Sequence, residues 1–110
     1  MRIKKYIRTT LSKLNIPIYL MHNPNSNDQT YVVYDITSEN HKSITSEGKE
    51  SIKYTILIRI YSKKDFDDLA DELNDLLVDN GFDRRSSAEL YDNEMNYYVK
   101  SIYYNYIYWK

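Results

Sequence analysis

Between Ser51 and Gly81 the hydrophobic period changes once, and that change sets the frame into which the rest of the chain must fit. Ile52, Tyr54, Ile56, Ile58 and Ile60 alternate with Lys53, Thr55 and Arg59, the period-2 pattern of a strand with one buried face. Leu57 stands on the polar parity, which predicts partial cover on the second face and so a central strand over Ser51–Tyr61. Past Tyr61 the spacing becomes helical, with Phe66, Leu69, Ala70, Leu73, Leu76 and Leu77 three or four residues apart. Ser62 followed by Asp65 has the form of an N-cap and a first-turn carboxylate, so a helix is expected over Lys63–Asn80. Gly81 can take the positive φ that closes such a helix. Ile56, Ile58 and Ile60 on the strand with Phe66, Leu69, Leu73 and Leu76 on the helix are the expected core.

The flanking sequence adds elements to this unit. Ile3, Tyr6, Ile7, Thr10, Leu11 and Leu14 share one helical face, predicting a first helix over residues 2–14 that Asn15 can end. Pro17 forces Ile16 extended, so Ile16–Met21 is an extended segment or short strand. His22–Thr30 is dense in turn formers and reads as a loop. Tyr31–Thr37 is β-branched and aromatic, a strand. Ser38–Glu50 holds almost no apolar residue but Ile44 and is expected to be mobile until it is ordered by a partner. Phe82–Ala88 reads as a connector, Glu89–Tyr91 as a short strand, Asp92-Asn93 as a turn and the chain from Asn96 as a long strand. The expected architecture is one α+β domain over residues 1–110, a mixed and largely antiparallel sheet with two main helices packed on it, in the order α-β-β-α-β-β.

A length of 110 residues supports one core. The absence of cysteine removes disulfides and thiolate metal sites and fits a reducing cytoplasm. No stretch has the length of a signal peptide's apolar run or a membrane span, so a soluble protein with no membrane partner is expected. The net charge of −1 conceals a segregation. Residues 1–13 carry Arg2, Lys4, Lys5, Arg8 and Lys13 without an acid, while residues 65–83 carry Asp65, Asp67, Asp68, Asp71, Glu72, Asp75, Asp79 and Asp83 without a base. Either the two helices face one another within the fold or the two patches meet between subunits. Acids that no neighbour covers would repel nucleic acid.

Catalytic chemistry has little to build on. Gly48 and Gly81 are too few for a phosphate-cradling loop, and His22 and His41 fall in stretches read as polar loops, far from any nucleophile elbow. Asp67, Asp71 and Asp75 stand four apart and could converge on a hard cation, but they lack a calcium-loop pattern, and a solvated acidic face is the plainer reading. No cofactor or metal is expected. Tyrosine, at 13 of 110 residues, can simply cover a sheet or can furnish an interface. The interface reading puts Tyr104, Tyr106 and Tyr108 with the basic residues Arg2, Lys4, Lys5 and Arg8, the acidic Asp67, Asp71 and Asp75, and the loop residues His41, Lys42 and Ile44.

In its order of elements the chain resembles the tail terminator, or tail completion, proteins of long-tailed bacteriophages. The resemblance rests on a basic N-terminal helix ending at Leu14-Asn15-Ile16-Pro17-Ile18-Tyr19, on Tyr31-Val32-Val33-Tyr34, on Ile56-Leu57-Ile58-Arg59-Ile60-Tyr61-Ser62, on Asn80-Gly81-Phe82 and on Tyr97-Tyr98-Val99-Lys100-Ser101-Ile102. It implies a structural protein and no enzyme: a homo-oligomeric, hexameric ring that caps the finished tail tube and presents a surface to the head–tail connector. Its partners would be further copies of itself, the tail tube protein and the connector, with genomic DNA passing through the lumen unbound. It would reside in the host cytoplasm during assembly and then at the head-proximal end of the virion tail. A head-completion adaptor, or a small nucleic-acid-binding regulator using the basic helix on phosphates, are the alternatives.

Overall fold

The computed structural model describes residues 1–21, 30–42, 48, 50–94 and 96–110. Helix α1 (Ile3–Leu11) continues into a 3-10 turn at Ser12–Leu14, which Asn15 ends at φ 56°. Strands β1 (Ile18–Leu20), β2 (Tyr31–Lys42) and β3 (Ser51–Ser62) follow, then α2 (Asp67–Asp79), β4 (Asp83–Asp92) and β5 (Tyr97–Trp109). The five strands form one mixed sheet in the order β1-β2-β3-β5-β4. Only the β1–β2 pair is parallel. The fold is therefore α+β, and its element order gains a strand, β1, over the one expected. The period-2 strand is the middle one of the sheet.

Both helices lie on one face. Ile3, Ile7, Leu11 and Leu14 from the α1 segment and Ala70, Leu73 and Leu77 from α2 pack on Val32, Ile56, Ile58, Ile60, Ile102 and Tyr104 of the sheet. Phe66 is buried at the start of α2, and Leu69 and Leu76 pack half-buried at the margin. Gly81 closes α2 at φ +94°: its N–H donates to the Val78 carbonyl and the Phe82 N–H donates back to Leu77. This crossed pair of bonds satisfies two terminal carbonyls and brings Phe82 down on the core beside Leu77.

Three local expectations give way. Ser62 does not cap α2; it completes β3, and its Oγ accepts from the Lys64 N–H. The helix starts at Asp67, where Asp65 Oδ1 accepts the Asp67 N–H. Ser38–Lys42, expected as part of a mobile loop, extends β2, with Ser38 opposite Thr55 and Lys42 opposite Ser51. Backbone pairing with a buried central strand orders this stretch without any apolar side chain of its own. His41 therefore stands on a strand. The remainder of that loop, Ile44 included, and His22 lie outside the described residues. Asp83–Ala88, expected as connector, is the first part of β4, whose side chains are exposed from Asp83 to Tyr91. An edge strand is held by its ladder to β5, so it leaves no burial pattern in the sequence.

Candidate assembly surfaces

Sheet order decides where the charged helix faces point. On α1, Tyr6 turns toward α2: its hydroxyl donates to the Asn80 carbonyl at 2.7 Å, and its ring stacks on Phe82 with centroids 5.7 Å apart. The opposite flank of α1 carries Lys4 and Arg8, which with Lys5 line an open cleft of about 280 Å³ against Leu20 of β1 and Tyr34 of β2. The basic flank thus overhangs the β1–β2 edge of the sheet. Arg2, Lys4, Lys5 and Arg8 are all exposed, and no ion pair involves them among the described residues.

Helix α2 lies over the other side. Asn74 on its middle turn accepts a 2.8 Å hydrogen bond from Tyr104 of β5, and Asp67 lines a cleft of about 410 Å³ with Glu89 of β4, Tyr98 of β5 and, from the segment before the helix, Lys63 and Lys64. At 100° per residue, Asp67 and Asp71 follow the flank turned toward β4, and Asp75 stands at the solvent crest. All three are exposed. The acidic flank overhangs the β4 edge. Hence the two helices are neighbours, yet their charges point to opposite edges of the sheet and do not neutralise each other. No grouping of His, Cys, Asp or Glu able to hold a metal occurs among the described residues.

The tyrosines divide differently from expectation. Tyr104 is wholly buried, because its register opposite Ile56 turns it to the helix side, so it is a core residue and no interface. Its burial pushes the hydroxyl up from 10.0 to about 12. Tyr106 and Tyr108 share that side and are half-buried; Tyr106 packs on Phe82 at 4.8 Å and on Tyr6 at 5.4 Å. Of the exposed aromatic and aliphatic residues of β5, Tyr98 is on the helix side, and Tyr103, Ile107 and Trp109 are on the helix-free face. Their alternation is equally aromatic in sequence, and only the register separates them from Tyr104. His41, exposed, is 3.2 Å from Glu39, and the side chain of Lys42 lies outside the described part.

One end of that helix-free face is covered by a second cluster that sequence reading did not isolate. Tyr31 and Tyr61 stack at 4.7 Å, and Tyr97 meets both edge-on at 5.5 and 6.2 Å. Arg59 Nη1 donates to the Tyr61 hydroxyl and Nη2 to Asp35 Oδ2 at 2.8 Å. Burial raises the Tyr31 hydroxyl from 10.0 to about 12, with Tyr61 and Tyr97 adding to the rise. The signal available in the sequence was Arg59 among the apolar residues Ile56–Ile60 of the central strand, a charge that needs an acid on a neighbouring strand.

No protein-family model matches the sequence, and a search of curated proteins finds no match. Among the described residues no helix is long and apolar enough to cross a membrane.

Proposed function

We propose that the chain is a structural assembly subunit of the tail-terminator type, which closes head to tail into a ring, caps a tail tube and offers a surface to the head connector. It is not an enzyme in this reading. The observation that carries it is the placement of opposite charges over opposite edges of one sheet, with no ion pair to any of them among the described residues: Lys4 and Arg8 beside β1 and β2, Asp67 and Asp71 beside β4. A cyclic assembly makes heterologous contacts, in which one surface of a subunit meets a different surface of the next. Two complementary flanks at opposite edges suit that contact, whereas an isologous dimer would set like charges against each other. Asp75, on the crest, stays outside such a contact and would repel phosphate wherever DNA passes.

Native mass spectrometry tests the reading through a charge swap. The wild type should form one ring size. Asp67→Lys/Asp71→Lys carries two basic flanks and Lys4→Glu/Arg8→Glu two acidic ones, so each alone should remain monomeric. Mixed, they should form oligomers that alternate the two variants. A wild type that stays monomeric at all concentrations refutes the ring, and steep salt-dependent binding of duplex DNA through the basic flank would favour a nucleic-acid-binding protein instead.

A further inference from the structure

Among the described residues the sheet ends in two strand edges without a further strand, and they lie under the two charged flanks. β4 is paired with β5 on one side only, and every residue from Asp83 to Tyr91 is exposed. On the opposite edge β1 covers β2 only at Val32–Tyr34, so among the described residues no strand meets the outer side of β2 from Asp35 to Lys42. Natural edges are usually blunted by shortness, lysine, proline or bulges. β4 has a bulge at Arg84/Ser86 and β2 one at Ile36/Ser38, but beyond them Ser86–Tyr91 and Ser38–Lys42 are each regular in their ladders. These are free rows of N–H and C=O groups of the kind that accept a further strand.

From β2 through β3 and β5 to β4 the strands alternate in direction. A rotation about an axis along the strands therefore brings β2 of one copy beside β4 of the next as an antiparallel pair, continuing the alternation. The two edges are also staggered. β4 runs from the level of Thr55 to past Ser62, whereas the free half of β2 lies between the levels of Leu57 and Ser51. Closing a sheet on itself requires such an offset, since strands must tilt against the axis.

Resting on the ring reading, we infer that the subunits join by strand addition, the outer edge of β4 in one copy pairing antiparallel with the outer edge of β2, Asp35–Lys42, in the next, with the acidic α2 flank and basic α1 flank meeting above the seam. The occupant is a second copy of this chain, chosen by charge: the edge under the acids receives the edge under the bases.

The absence of cysteine makes a clean test possible. Asn40 and Ala88 are exposed and, by their partners Lys53 and Ser101, both face the helix-free side. Asn40→Cys/Ala88→Cys treated with a short bifunctional thiol reagent should give a covalent ladder up to the ring size, and each single variant none. Covalent dimers from Ala88→Cys alone would mean β4 pairs with β4 and overturn the inference. So would a double variant that forms the ring by native mass yet never cross-links, which leaves the ring reading intact; absence of any ring removes both. On the unsubstituted protein, every second amide between Ser86 and Tyr91 should slow in hydrogen exchange at least about tenfold on assembly. Unchanged exchange there in a proven ring overturns the inference as well.

Discussion

The hydroxyl of Tyr104 donates a 2.8 Å hydrogen bond to Oδ1 of Asn74, tying the middle of α2 to an inner strand. Tyr104 is wholly buried and Asn74 half-buried. Tyr104→Phe should therefore cost about 1 kcal/mol in a urea titration, through the lost bond. A midpoint equal to wild type would show that the bond contributes nothing net.

Alkaline pH should weaken the fold through the same side chain. Tyr104 and Tyr31 titrate at about 12 when folded, against 10.0 for the ordinary value. Below pH 10 folded and unfolded chains both keep these protons, so stability does not depend on them. Between pH 10 and 12 the unfolded chain releases protons that the folded chain retains, and stability falls, by about 2–3 kcal/mol per group at most. Urea midpoints across this window should decline, and Tyr104→Phe should flatten the decline. A Tyr104→Phe slope as steep as wild type would contradict the assignment.

Leu73 has no exposed surface and sits between α2 and the sheet. Leu73→Asp should cost about 4 kcal/mol or more and leave the chain unfolded at 25 °C by far- and near-UV circular dichroism. Glu72→Leu, at the adjacent exposed position, should leave the thermal midpoint nearly unchanged. Equal midpoints for wild type and Leu73→Asp would exclude this packing.

Gly81 and Gly48 both have positive φ, at +94° and +79°. A Cβ on Gly81 would also meet Tyr106 Cε1 at 3.2 Å, while one on Gly48 would meet nothing within 4 Å. Gly81→Ala should cost about 1–2 kcal/mol and Gly48→Ala about 1 kcal/mol or less. Chemical denaturation of the two variants ranks them; the reverse order would mean that the helix closure is less constrained than its geometry implies.

Arg59 and Asp35 are joined on the helix-free face with side chains 27% and 21% exposed. Asp35→Asn should cost about 1–2 kcal/mol, because the guanidinium, whose Nε is already buried without a partner, loses its counter-charge. Arg59→Leu/Asp35→Leu should recover much of that loss. A double variant weaker than the single one would show net stabilisation by the pair.

Where a side chain is buried on one side only, the sequence reports it. β3 and α2 could be located because Ile52–Ile60 and Phe66–Leu77 each bury a single periodic face. β4 and the Ser38–Lys42 half of β2 are held mainly by backbone ladders, and such bonds have no composition. The tyrosines failed for the opposite reason: Tyr103 and Tyr104 both stand in aromatic alternations, and only the pairing of Tyr104 with Ile56 assigns it to the core. The segregation of charge was plain in the residues. Its direction was not, because a helix flank acquires an edge to overhang only once strand order is known.

The order of strands in space also governs when this protein can fold during its synthesis. β5 follows β4 in the chain but lies inside it in the sheet, so β4 has no partner until Tyr97–Trp109 has been made. Until then β3 is open along one whole side, and its pairing of Ser51 with Trp109 spans more than half of the chain. Contacts so distant in sequence close slowly. A nascent chain therefore has no finished β4 edge to offer to another copy, and self-association must wait for the strand that locks the middle of the sheet.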